Sequence, residues 1–145
     1  MIIVTIKQSI SRIELQDMAA TDDLSQIEIS DMYLGGINLR GANLTEARLV
    51  NVDLSMADLR EVNLTNATLV QVNLTSANLS NACLQGARLM DINGKEANLC
   101  NADLRGLRIE YNSVYLQGAN LTGAKVADAN LQDAELTNVI RLPTN

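Results

Sequence analysis

Side chains able to do chemistry are few in this chain, and the most useful one is missing. There is no histidine, which removes the usual neutral-pH general base, the commonest metal ligand and the ordinary partner of a nucleophilic Ser or Cys. Carboxylates, lysines, tyrosines and two thiols remain. Glu46, Asp53, Asp58 and Glu61 lie close together in sequence and invite comparison with paired catalytic carboxylates or a cation site. Cys83 and Cys100 are not spaced as CxxC, and two cysteines are too few for a zinc site or a disulfide scaffold, so free thiols in a reducing compartment are expected. Gly35-Gly36 is not a phosphate loop, because neither a helix start nor a Lys-Ser pair follows it. No catalytic, cofactor-binding or metal-binding residue is predicted, and the chain is not expected to be an enzyme.

A chain of 145 residues with 47% hydrophobic content suffices for one domain with a core to hold these groups. That core must be aliphatic, since Phe and Trp are absent and only three Tyr occur. Seventeen acids against eleven bases give a net charge of −6, which disfavours direct binding to nucleic acid or anionic lipid. The opening "MIIVTIKQSISRIEL" has no basic segment before its apolar run, and no stretch approaches the roughly 18 apolar residues of a membrane span. A soluble, cytoplasmic chain is expected.

Leucines at 44, 49, 54, 59, 64, 69, 74 and 79 recur every five residues. On a helix each such step turns about 140°, so they would wander around the cylinder. In a flat strand five is odd, and successive leucines would face opposite ways. The pattern inside each quintet resolves the conflict. If the leucine is position i, i−2 is apolar and i−1 polar, as in Ala42-Asn43-Leu44 and Val52-Asp53-Leu54, so three residues alternate in, out, in as an extended segment. The next two must turn the chain. The backbone therefore coils around an axis.

Eighteen centres from Leu24 to Ile109 keep register, and five more follow at Leu116, Leu121, Val126, Leu131 and Leu136. Of these twenty-three centres nineteen are Leu, thirteen i−2 positions are Ala, and thirteen i−1 positions are Asn or Asp. Tandem A-[D/N]-L-x-x units such as "ANLTE", "ADLRE", "ANLSN", "ANLCN", "ADLRG", "ANLTG" and "ANLQD" resemble the pentapeptide-repeat proteins over about residues 22–140. The resemblance implies an all-β fold, a right-handed quadrilateral β-helix with four units per coil; spacing alone would allow another polygon. Twenty-three units then make about six coils, a rod roughly 27 Å long at a coil rise near ~4.8 Å. Asn rows at i−1, such as Asn78 above Asn98, can form side-chain ladders.

An open coil needs a cover at its ends, and residues 1–21 are assigned as an N-terminal cap, 22–140 as the repeat and 141–145 as a tail. "IIVTI" suits a strand pairing onto the first coil. Ser11-Arg12-Ile13-Glu14 has the form of a capping box, with Ile10 and Leu15 as a staple, predicting a short helix to about Ala19; a second strand over "ISRIEL" is the competing reading. Pro143 would stop the ladder.

Two irregularities break the repeat. Gly94 stands where a Leu belongs, which predicts a local kink, and "EYNS" adds two residues before Leu116. With four units per coil both fall on one side in successive coils, bringing Tyr111 and Tyr115 near Lys95 and Glu96. These form a candidate loop site of Lys95, Tyr111 and Tyr115, against the alternative of tolerated insertion drift.

Reading outward residues by side isolates one face. Arg48, Thr68, Arg88 and Arg108 share one column there, and Val50, Val70 and Met90, followed by Glu110, share the next. An exposed aliphatic stripe flanked by arginines suits a flat protein-binding surface; the competing reading is β-branched residues that merely favour extended backbone. The candidate interaction face is Arg48, Val50, Val70, Arg88, Met90 and Arg108. The carboxylates near Asp58 would point around different corners, and the cysteines would sit on neighbouring sides of successive coils, too far apart to bridge.

The expected function is a non-enzymatic module: a rigid rod offering flat faces to a protein partner, with no small-molecule substrate, no cofactor, no direct nucleic-acid contact and no membrane. The alternative implied by the resemblance is a DNA mimic engaging a type II topoisomerase, as quinolone-resistance members of the family do. This chain matches their pattern poorly, being short, without a C-terminal dimerisation helix or long loops, and with acids not gathered in one column. The resemblance also suggests a bacterial, cyanobacterial source.

Overall fold

The computed structural model describes residues 5–7, 11–21 and 23–141. Strands β1 (Thr5–Lys7), β2 (Glu28–Tyr33), β3 (Arg48–Asp53), β4 (Thr68–Asn73), β5 (Arg88–Asn93), β6 (Arg108–Tyr115) and β7 (Ala134–Glu135) form one parallel sheet in chain order. Partners are twenty residues apart through the regular part: Leu49 lies against Leu69, and Leu69 against Leu89. Two other sides carry single parallel bridges, such as Asn38 to Asp58 and Asn43 to Asn63, at the same interval. Each such step contains four corners, so the coil has four sides.

The quintet specifies both the core and the corners. Position i and position i−2 are both buried, as Leu44, Ala47, Leu49, Val52 and Leu54 show. Leucines fill the axis while small residues line the inner wall, and each fully buried Leu contributes on the order of 1.5–3 kcal/mol. At every unit from Gln26 to Asp128, residue i+2 adopts a left-handed φ, for example 58° at Glu46 and 53° at Asn51. Corners of this kind are closed by a backbone bond from the next i−2 amide to the i carbonyl, as from Ala47 to Leu44 at 3.0 Å and Ala57 to Leu54 at 3.1 Å. A left-handed φ disfavours branched side chains, which is why Asn, Asp, Glu and Gly fill most of these positions.

One corner in four is different. Strands β2 to β6 run straight through it, with ladder pairing on both sides of Asn51 and Gln71. Here i+1 is Val50, Val70 or Met90, and the following i−2 is Val52, Val72 or Ile92, where the other corners place mostly polar residues and alanine. β-Branched side chains favour continuous extended backbone.

The Asn and Asp residues at i−1 do more than stack. Oδ1 of Asn43 accepts from the backbone N of Thr45 at 3.2 Å and from its hydroxyl at 2.7 Å, and Asn63–Thr65, Asn73–Thr75 and Asn120–Thr122 repeat the arrangement. This is an Asx turn that presets the corner. Ladder bonds also occur, from Asn98 Nδ2 to Asn78 Oδ1 at 3.3 Å and from Asn73 Nδ2 to Asp53 Oδ1 at 3.1 Å.

At the N-terminal end β1 pairs with β2, Thr5 opposite Glu28, and α1 (Arg12–Thr21) follows. The capping box is reciprocal: Ser11 N donates to Glu14 Oε2 at 2.6 Å and Glu14 N to Ser11 Oγ at 3.2 Å. A helix therefore replaces the competing strand over "ISRIEL", and its Leu15 is fully buried with the core. Ile10, the proposed staple partner, and Pro143 lie outside the described residues.

The rod makes about five turns rather than six, because the last coil is incomplete. A 3₁₀ turn at Leu131–Asp133 replaces the first half of the expected strand, β7 pairs only two residues with β6, and a bridge from Asn120 to Ile140 ends the ladder. Leu131, Leu136 and Val139 are only partly buried there.

Candidate interaction face

Register places the residues of the candidate face. Arg48, Thr68, Arg88 and Arg108 are successive ladder partners, as are Val50, Val70, Met90 and Glu110, with Leu49, Leu69, Leu89 and Ile109 turned inward between them. The arginines are exposed, whereas Val50, Val70 and Met90 are half-buried rather than fully exposed. Stacked neighbours in the same column cover part of each. The stripe is thus a flat, shallow apolar strip.

Charge along the face is partly compensated. Arg88 donates through Nε and Nη2 to Glu110 Oε1 at 2.9 and 2.6 Å, and Arg48 Nε lies 3.6 Å from Glu28 Oε1. Arg108 has no ion pair among the described residues. Such exposed pairs add little stability, and the guanidinium groups stay accessible. Glu110 ends the apolar stripe.

The insertion before Leu116 is absorbed inside β6. Register slips between Met90 and Ile92, and Ser113 fills the gap in the ladder: Asp91 N donates to Ser113 Oγ at 2.8 Å, and that hydroxyl donates to the Glu110 carbonyl at 3.1 Å. Tyr115 pairs with Asn93, while Glu96 N donates to the Gln117 carbonyl at 2.9 Å. Tyr111 occupies the left-handed corner at φ 64°.

Gly94 causes no kink. Its amide donates to Tyr115 O at 2.7 Å and its carbonyl accepts from Ala97 N at 3.1 Å, regular corner geometry. Leu116 of the next coil leans into the missing plug's space, and an apolar cavity of about 30 Å³ is what remains, bordered by Leu74, Gly94 and Leu116.

The clustered carboxylates separate around the coil. Asp58 is held by Arg60 through two bonds of 2.8 and 2.6 Å, Glu61 by Arg40 at 2.7 Å, Glu46 accepts from Gln26 at 2.9 Å, and Asp53 from the Ser55 amide at 2.9 Å. The Arg60 guanidinium holds the Asp58 carboxyl below the usual carboxylate range. Asp103, bound by Arg105 and Gln85, is lowered further. Among the described residues no group of three or more His, Cys, Asp or Glu side chains could hold a metal ion. Cys83 and Cys100 are unbridged, and Cys83 Sγ lies 3.2 Å from Thr65 Oγ1. No helix among the described residues is long and apolar enough to cross a membrane.

One feature was missed by reading the outward columns one side at a time. Between the columns of Asp31 and Tyr33 the straight-through corner forms a concave groove. Reading the i−1 column Tyr33, Asp53, Asn73, Asn93, Tyr115 together with the corner column would have exposed it.

Solved structures similar to this chain include QnrB1, a plasmid-mediated fluoroquinolone resistance protein, at 18% identity over 81% of this chain and 66% of that one, with a TM-score of 0.45. HetL, involved in heterocyst differentiation regulation in the cyanobacterium Nostoc sp. strain PCC 7120, is similar at 22% identity over 88% of this chain and 91% of that one, with a TM-score of 0.39. A pentapeptide repeat protein of the Arabidopsis thaliana thylakoid lumen is similar at 26% identity over 67% and 74%, with a TM-score of 0.38. No curated protein sequence matches. The family model described as pentapeptide repeats matches eight copies across residues 23–60, 57–93 and 114–140, and with the five-residue corners, the buried leucine column and the parallel coils already in place, the chain belongs to the pentapeptide-repeat family.

Proposed function

We propose that this protein is a non-enzymatic binding module, a rigid coil that docks a protein partner on the face of Arg48, Val50, Val70, Arg88, Met90 and Arg108. The observation carrying this reading is the unbroken register of β3, β4 and β5, which lines Val50, Val70 and Met90 beside a column of exposed arginines. Apolar area with Arg at its border is the composition of protein interfaces. The arginine column leaves this face without the continuous acidic stripe that a duplex mimic needs, which favours a protein partner of another kind over a topoisomerase here. In this reading the protein works in the cytoplasm without cofactor, substrate or membrane.

Val70→Lys tests it. Val70 points outward, so the melting temperature should move by no more than about 4 °C, while specific capture of a partner from the native organism should fall at least tenfold. Unchanged capture would exclude this face.

A further inference from the structure

The chain's only three aromatic residues, Tyr33, Tyr111 and Tyr115, are exposed at 89%, 85% and 45%. Tyr33 lines one end of a groove, and Tyr111 and Tyr115 stand one coil step beyond its other end in the same two columns. Its first wall is the left-handed corner column that begins at Asp31 and ends at Tyr111; its second is the ladder column from Tyr33 through Asp53 to Tyr115. The hollow between them has a volume of about 380 Å³ at the Asp31 and Asp53 level, and a second, shallower hollow of about 230 Å³ continues it to Asp91 and Asn93.

Among the described residues no cation compensates the groove's charge. Asp31 Oδ1 accepts from Asn51 at 2.8 Å, and Asp53 Oδ1 from Asn73 at 3.1 Å and from the Ser55 amide at 2.9 Å. Among the described residues neither has a cation partner, nor does the Asp91 carboxylate. Elsewhere on the coil Asp58, Glu61, Asp103 and Glu110 each hold an arginine. Both walls otherwise consist of Asn and Gln carboxamides, Ser113 and the tyrosines, with no basic side chain in either column.

We propose that this groove binds an extended peptide segment bearing Arg or Lys side chains. Three carboxylates spaced along two rigid walls, Asp31 and Asp91 on one and Asp53 on the other, suit charge-assisted hydrogen bonds to guanidinium or ammonium groups, and exposed tyrosine rings at both ends offer cation–π faces. Tyr33 and Tyr115 are four coil steps apart, roughly 19 Å at ~4.8 Å each, which an extended segment of about six residues spans at ~3.3 Å per residue. A neutral oligosaccharide would stack on the rings but leave the carboxylates unmatched, and a nucleic acid would be repelled. This surface lies around the corner from the Val70 face and does not depend on it.

The test uses the full chain and a fluorescently labelled eight-residue peptide of alternating Arg and Ser, with the Glu-Ser peptide and cellohexaose as comparison ligands. One-to-one saturable anisotropy binding is expected for the Arg peptide only. With an unlabelled Arg peptide it should also change the intrinsic tyrosine emission, which reports on the groove alone because the chain has no Trp. The triple variant Asp31→Asn, Asp53→Asn, Asp91→Asn should weaken binding at least tenfold. It should fold, since Asn51 and Asn73 already occupy the same two columns in adjacent coils. Tyr33→Asn with Tyr115→Asn should weaken it severalfold at constant charge. Glu46→Gln, Glu61→Gln and Glu96→Gln, on the other three corners, remove equal charge and should change affinity less than twofold. Equal losses in both charge triples, an unchanged tyrosine signal on binding, no saturation, or preferential binding of cellohexaose would each overturn the proposal.

Discussion

Gly94 and Leu116 share one space: a Cβ placed on Gly94 would stand 2.7 Å from Leu116 Cδ2. A glycine at a plug position and a two-residue insertion, each disruptive alone, are thus complementary halves of one packing solution. Gly94 has no left-handed φ, so its lack of a side chain serves space rather than backbone conformation.

That relationship predicts a change of sign. Gly94→Leu in the native background overpacks the axis and should lower stability by about 1–3 kcal/mol. Leu116→Ala should lower it by roughly 2–5 kcal/mol. Combined, Gly94→Leu should recover part of the loss from Leu116→Ala, a coupling that a double-mutant cycle in urea would measure. Additive losses would mean that the two side chains do not compete.

Asn130 predicts a local weakness. Its Oδ1 accepts from Ile109 N at 2.7 Å and its Nδ2 donates to Ile109 O at 2.8 Å, so one carboxamide imitates the missing strand of the last coil. Asn130→Asp keeps the acceptor and loses the donor, and should cost about 1–3 kcal/mol. Hydrogen exchange should quicken at Ile109 and leave Leu69 unchanged. An unaltered Ile109 rate would show that the side chain is incidental.

Acid should act through Asp103. Arg105 donates to both of its carboxylate oxygens at 2.8 and 2.7 Å, Gln85 adds a bond of 2.7 Å, and these hold the carboxyl well below its ordinary value against the opposing effect of burial. A lowered native pKa contributes stability that is complete above the unfolded carboxylate value of about 3.9 and is lost as pH falls below it. Asp103→Asn should therefore reduce stability at pH 7, and the two proteins should converge towards pH 2. Thermal unfolding across that range checks this; a constant difference would refute it.

Much of the architecture could be read before any coordinates. Leu44, Leu49 and their successors in the complete coils, with Ala or Val two residues earlier, name the buried positions outright, because there burial follows place within a quintet. Ser11 and Glu14 marked their helix for the same reason: a capping box is closed by neighbours in sequence. The Asn-Leu-Thr order of Asn43 and its equivalents stands in the sequence, but it suggests ladders, and the Asx turn follows only from the bend that brings the Thr45 amide and hydroxyl to the carboxamide. The candidate face was listable as columns, but its half-buried state was not, since that depends on how stacked side chains shield each other.

The sequence by itself determined that the chain coils, which residues point inward, and where the repeat falters, because all three follow from local periodicity and the need to bury aliphatic surface. Tertiary structure decided that four corners close the coil, that one of them opens into a groove beginning at Asp31 and Tyr33, that Leu116 occupies the room Gly94 leaves, and that Asn130 stands in for a strand. Those outcomes depend on contacts between residues about twenty apart, whose distance in space is set only when one coil lies on the next.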